Sequence, residues 1–231
     1  MICFQVNDMN STPKSILKNA AVFFLGVVIL SFGTYLTIQA GIGVGSWDCF
    51  SLGLAGKLGV EYGDANLIIS ITVILMDILL KEKIGLGTVL NGIFCGKVVD
   101  VFNALNVVPV ISGNMLLSIV VVVIGMVFEA FGVIYYMKPS LGCGPRDTFK
   151  VGIGRHVRRL KIGTVGIGIN MLVLLCGWVL GGPVGLGTVM NIFCYGVIEN
   201  LVNGLMKFEP RDLVHQDILE SFRILFNRKH A

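Results

Sequence analysis

Only 14% of the 231 residues are charged, where a soluble domain of ordinary composition carries about 25%. With 55% hydrophobic residues and a mean hydropathy of +0.84, the chain has too little polar surface to cover a water-soluble core. Histidine is scarcer still. His156, His215 and His230 are the three in the chain, and all fall in basic segments, so no metal site or nucleophile–base pair assembles within the apolar part. The six cysteines (Cys3, Cys49, Cys95, Cys143, Cys176, Cys194) form no CxxC pair and read as small apolar fillers between helices. There is no phosphate loop with lysine, no dinucleotide fingerprint and no soluble segment large enough to hold a cofactor. These absences argue against an enzyme; no metal, cofactor or nucleic-acid partner is expected.

What the chain does have is an internal repeat. Gly26 and Gly33 recur as Gly125 and Gly132, and Gly43, Gly45, Asp48 and Phe50 as Gly142, Gly144, Asp147 and Phe149. The run Gly85-Leu86-Gly87-Thr88-Val89 returns as Gly185-Leu186-Gly187-Thr188-Val189, and Asn91, Gly96 and Asn103 as Asn191, Gly196 and Asn203. A period this long exceeds a solenoid unit and reads as a duplicated bundle. In an apolar chain, such duplication places a functional site between the halves.

Six stretches are candidate membrane spans, three per repeat: Ala20–Ala40, Ala65–Leu80 and Leu86–Leu105, then Asn114–Met137, Gly163–Leu180 and Val184–Met206. The first is too long for a signal-peptide core, lacks a clear cleavage site and is itself duplicated, so it reads as a mature helix. Lys14 and Lys18 before it place the N-terminus in the cytoplasm. The segment Gly41–Gly63, with Lys57 as its single base, then falls outside, and Lys81-Glu82-Lys83 inside. The uncharged Asn106–Gly113 connection falls outside. The segment Lys138–Lys161, with Arg146, Lys150, Arg155, Arg158 and Arg159, falls inside; Gly181-Gly182-Pro183 falls outside and the basic tail inside. Equivalent loops carry opposite charge, because an odd number of spans inverts the second copy. The expected organisation is a cytoplasmic segment at 1–19, a first membrane repeat at 20–105, an inverted second repeat at 106–206 and a cytoplasmic amphipathic tail at 207–231.

A glycine-rich break follows the first span of each repeat. One reads Ala40-Gly41-Ile42-Gly43-Val44-Gly45-Ser46-Trp47-Asp48, the other Pro139-Ser140-Leu141-Gly142-Cys143-Gly144-Pro145-Arg146-Asp147. Short helices are expected from Ser46 to about Leu58 and from Pro145 to about Leu160. Ser46 or Gly45 would cap the first, and Pro145 suits the first turn of the second. Asp48 and Asp147 then lie in first turns, where the helix dipole favours a negative charge. Read structurally, each Asp is a cap and each Gly a bend. Read functionally, paired breaks at matching positions border a transporter's binding site. Thr88 and Thr188 are expected to cap the third span of each repeat, with Asn91 and Asn191 one turn on.

Acids within the spans are the remaining candidates. Lys97 and Asp100 are spaced for an ion pair, Asp100 and Glu199 occupy near-equivalent positions, and Glu129 lies deepest in a span without a local basic partner. Such groups face a bundle interior or water. Asp77, near Lys81 and Lys83, reads as a charge at a helix end. Gly92-x-x-x-Gly96 reads as a packing motif. Arg155, Arg158 and Arg159 read as a face resting on lipid headgroups. Leu213, Ile218, Leu219, Phe222, Leu225 and Phe226 have amphipathic helical spacing that would dock the tail on the membrane or another subunit.

The first break together with Gly85-Leu86-Gly87-Thr88 resembles the YczE/YyaS/YitT group of bacterial integral membrane proteins, nearest its YczE-like branch. That branch shows Gly-x-Gly-Pro-Trp-Asp and Gly-x-Gly-Thr. Ser46 stands here where proline is usual, and the second copy keeps Pro145 but has Arg146 in the tryptophan place. The resemblance runs from about Lys14 to Leu205 and implies a multi-span inner-membrane protein of a prokaryote, without a substrate or catalytic residues.

The expectation is an all-α polytopic protein of the cytoplasmic membrane, with six main helices in two inverted three-helix repeats and a short broken or re-entrant helix in each. Both termini would be cytoplasmic. The leading function is a small secondary transporter or permease for an unidentified small solute or ion. Candidate solute contacts are Gly43, Gly45, Trp47, Asp48, Thr88, Asn91, Gly142, Gly144, Arg146, Asp147, Thr188 and Asn191. Candidates for ion or proton coupling are Asp100, Glu129 and Glu199. The rival is a non-transporting accessory protein that docks another protein, or a second copy, through its tail.

Overall fold

In the computed structural model, which describes residues 13–111, 113–157 and 162–208, eight helices and no strand are present among the described residues. They are α1 (Pro13–Gln39), α2 (Ser46–Leu58), α3 (Tyr62–Leu79), α4 (Leu86–Ala104), α5 (Met115–Met137), α6 (Pro145–His156), α7 (Ile162–Val179) and α8 (Leu186–Met206). The order repeats after α4, with the short helices α2 and α6 at matching places. The helix α6 ends at His156, before the expected Leu160, and 158–161 lie outside the described residues, as do 209–231 of the expected amphipathic tail.

Among the described residues, four helices are long and apolar enough to cross a membrane: α1 over Lys18–Gln39, α3, α5 and α8. That is fewer than the six stretches read from the sequence. In α4, Asn91, Lys97, Asp100 and Asn103 interrupt the apolar run. The apolar part of α7, Thr164–Val179, is shorter than a full span.

The central seam is α1 against α5. Gly26 lies against Tyr136, Gly33 against Glu129 and Gly125 against Thr37. Position rises in one helix as it falls in the other, so the two run antiparallel. A Cβ on Gly26, Gly33, Gly125 or Gly132 would come closer than 3.0 Å to the facing helix. Without a hydrophobic drive between helices in lipid, this close backbone approach is what holds such a pair together. Phe23, Val27, Tyr136 and Met137 fill one end of the seam, and Ala40, Val122 and Met126 the other. The remaining helices flank it: α4 packs on α1 and α8 on α5, while α2 lies along α7 and α6 along α3. Each short helix thus leans on the third helix of the opposite half. Large apolar side chains such as Leu79, Leu116, Val179 and Phe193 point outward, as a lipid-facing surface requires.

Candidate functional site

The two glycine-rich breaks are exchanged between the halves. Gly43, at φ +100°, sits on the N-terminus of α8, and the Gly187 N–H donates to the Ile42 carbonyl at 2.7 Å. Gly142, at φ +136°, sits on the N-terminus of α4, and the Gly87 N–H donates to the Leu141 carbonyl at 2.8 Å. Free amides at each helix start are thereby satisfied by the opposite break, and the positive φ at both glycines permits the approach. Gly45 lies beside the Asn191 side chain and Gly144 beside Asn91 and Tyr136.

Capping follows the sequence expectation at Gly45, Pro145 and Thr188 and departs from it at Thr88. Gly45, Gly144, Gly85 and Gly185 occupy the N-cap positions of α2, α6, α4 and α8, and none of these glycines has a side chain to cap with. Thr88, buried, instead donates across the halves to the Cys143 carbonyl. Thr188 accepts from the Gly185 N–H at 3.3 Å.

Where the breaks enter α2 and α6 a polar cluster forms. Arg146 lies 3.6 Å from Asp48 and places its guanidinium 5.2 Å from the centre of the Trp47 ring. It also donates to the Asn66 side-chain carbonyl. The Tyr62 hydroxyl donates to Asp48 at 2.8 Å, and the Trp47 indole N–H to Asn170 at 3.2 Å. The equivalent positions Trp47 and Arg146 therefore stack on each other, and each reaches the third helix of the opposite half: Trp47 to α7, Arg146 to α3. Asp147 has separate partners, Lys150 at 3.0 Å and the Tyr136 hydroxyl at 3.3 Å.

The span acids are divided. Glu129 accepts from Thr34 at 3.3 Å across the α1–α5 seam. Asp100 accepts from the Gly63 N–H at 2.8 Å and pairs with Lys97 at 3.4 Å, and Lys97 pairs in turn with Asp64 at 2.6 Å. Asp100 is therefore part of a fastening between α3 and α4, held at the residue next to Tyr62, the partner of Asp48. Glu199 is half-buried on α8 and within electrostatic range of Asp147 and Lys150. Asp77 departs from its reading as a helix-end charge. It is fully buried, and neither carboxylate oxygen has a hydrogen-bond partner among the described residues.

Sequence reasoning missed Tyr62, Asn66 and Asn170. The signal was present: Asn66 and Asn170 are isolated amides inside apolar helices, where an unpaired polar group is costly. Elsewhere, an apolar cleft of about 250 Å³ lined by Met76, Leu79, Leu80, Phe149 and Ile153 offers no polar contact. No group of three His, Cys, Asp or Glu among the described residues is placed to hold a metal ion.

A family of unknown function, DUF6198, matches residues 17–204. An uncharacterized membrane protein of Bacillus subtilis, YczE, is 30% identical over 178 residues, covering 76% of this chain and 81% of its own. An uncharacterized protein of Haemophilus influenzae is 33% identical over 188 residues, covering 80% and 84%. YyaS of Bacillus subtilis is 26% identical over 176 residues, covering 75% and 87%. No solved structure matches the chain. Together with the apolar helices, these relatives make it a membrane protein of the YczE/YyaS kind.

Proposed function

The chain belongs to the DUF6198 family, and from that premise we propose that it is a small secondary transporter whose solute site lies where the two breaks meet. The observation that carries this reading is the Asp48–Arg146 pair under Trp47. Equivalent loops of two duplicated halves bring opposite charges together inside an apolar protein, ringed by the neutral donors and acceptors of Tyr62 and Asn66. Ionisable groups in such surroundings mark solute or ion paths. A small solute carrying charge would enter by separating the pair, and Trp47 would supply an aromatic face.

In this reading the halves are inverted repeats of three spans each, supported by the antiparallel α1 and α5. Both termini face the cytoplasm, as the lysines before α1 and the basic segment around α6 require. Glu129, at the central seam, is the candidate for ion or proton coupling. Asp100 serves as a fastening group.

The test is thermal stabilisation of the purified protein across a library of small ions and metabolites, followed by flux into proteoliposomes. A ligand that binds the folded state raises Tm by mass action. The expected hit disappears in Asp48→Asn and Arg146→Met and moves across the bilayer with the wild-type protein. If no compound shifts Tm and no flux appears, the transporter reading fails and the accessory reading takes its place.

A further inference from the structure

The two halves are alike in sequence but not in how their last helices pack. In the first half α3 lies along α4; in the second, among the described residues, α7 makes no comparable seam with α8. Gly96 of α4 is pressed against Gly63 and Asn66 of α3, where an added Cβ would come within 2.9 Å of both. A Cβ on its equivalent, Gly196 of α8, would meet nothing within 4 Å among the described residues, and one on Gly166, at the place of Asn66, would meet only the flexible end of Lys150 among them. Among the described residues of α8, Gly187, Thr188 and Val202 are the buried ones, although its sequence repeats the small and polar positions that α4 uses for packing. The α3–α4 seam is also fastened by charge, through Lys97–Asp64 and the Asp100 acceptor of the Gly63 N–H. Val197 and Thr164 stand where that ion pair would be in the second half.

From this asymmetry we infer that the α3–α4 and α7–α8 seams are the two gates of the site, and that they exchange states. The face of α8 left open here is the one that α7 covers in the alternate state, as α3 covers α4 in this one. The inference rests on the inverted-repeat transporter reading. It deepens that reading by naming the conformation shown and the elements that move. The closed fastening involves the first turn of α3 and the second half of α4, which that topology places at the outer face. The gap between α7 and α8 lies by the start of α7, at the cytoplasmic face. This conformation is therefore open to the cytoplasm. Gly177 and Gly182 hold α7 tightly to α2 at Cys49, and Gly53 packs between them. The helices α2 and α7 would thus close on α8 as one unit, carrying Trp47 and Asp48 with them.

Cross-linking in a chain freed of its native cysteines tests this without any solute. The reporter pair is Gly166→Cys with Gly196→Cys across the open seam. The control pair is Ser70→Cys with Gly92→Cys across the closed one, where a Cβ added at Gly92 would lie 3.0 Å from the Ser70 Cβ. In membranes treated with a short thiol cross-linker, the reporter pair is expected to join within one chain. The yield should rise roughly five-fold when Asp64→Asn weakens the fastening, the factor that a change of one kcal/mol produces. Locking the control pair first should abolish the reporter product. Joining between chains instead would overturn the inference and make the α8 face a contact between copies. Absence of any reporter product, in protein whose control pair joins, would overturn it too. Gate closure without flux of any solute would leave the exchange standing while sinking the transporter reading, and flux without closure would do the reverse.

Discussion

Arg146 couples the two halves at the level of single atoms, and its removal should be felt beyond its own contacts. Exposed ion pairs contribute about 0.2–1 kcal/mol, whereas breaking a buried one costs about 3–5 kcal/mol. The Arg146 and Asp48 side chains are 28% and 13% accessible, so Arg146→Met is expected to destabilise by an intermediate amount, on the order of 2 kcal/mol. Thermal unfolding in detergent measures this. The double variant with Asp48→Asn should lose less than the sum of the two, because the second substitution removes the charge stranded by the first. Arg155 is a contrast. Its own side chain is 65% exposed while that of its partner Glu82, 2.9 Å away, is 7% exposed, so Arg155→Ala buries no stranded cation but leaves a largely buried carboxylate unpaired and should lower the melting temperature modestly. Asp77 runs the other way. Its buried, unpartnered oxygens forgo about 1–3 kcal/mol of hydrogen bonding, and Asp77→Leu is expected to raise Tm. These environments were only partly legible in the sequence. The glycine spacing exposed the breaks, but nothing local to Arg146 says that its partner is 98 positions away in the other half, because that pairing is made by exchange of the breaks.

Helices in this protein are positioned by glycine more than by bulky side chains, and matched substitutions separate tight seams from loose ones. Gly96→Val would drive a side chain into Asn66 and Gly63 and should destabilise by about 1–3 kcal/mol or prevent assembly. Gly196→Val meets open space among the described residues and should leave the melting temperature unchanged. Size-exclusion profile and Tm together make the comparison. The element boundaries followed from sequence where punctuation is strong. The helix α2 runs from Ser46 to Leu58 as expected and stops at Gly59, which takes a left-handed conformation and returns its N–H to Ala55. The helix α6 was expected to run further than it does, because the basic residues after His156 keep an amphipathic spacing that does not itself mark a stop. Periodicity also gave no sign that α7 would stand apart from α8, since two near-identical halves predict identical packing.

At the scale of the whole molecule, the antiparallel seam brings the start of α1 beside the end of α5, so Lys18 and Lys138 lie at one end of the bundle. Under the topology proposed above, a reporter inserted beside Lys57 should be labelled by an impermeant reagent from outside intact cells. One beside Arg155 should be labelled only after the membrane is opened. The same seam has a consequence for how the molecule is put together. Gly26 and Gly33 on one helix meet the surface presented by Gly125 and Gly132 on the other, so the contact is close to self-complementary, as an isologous dimer interface must be. Each half also supplies the break on which the other half's last helix begins. Covalent continuity through the 106–113 connection is therefore not what holds the halves together. A gene cut at Gly113, where an added Cβ would meet nothing within 4 Å among the described residues, should yield two fragments that find each other in the membrane and co-purify as one particle.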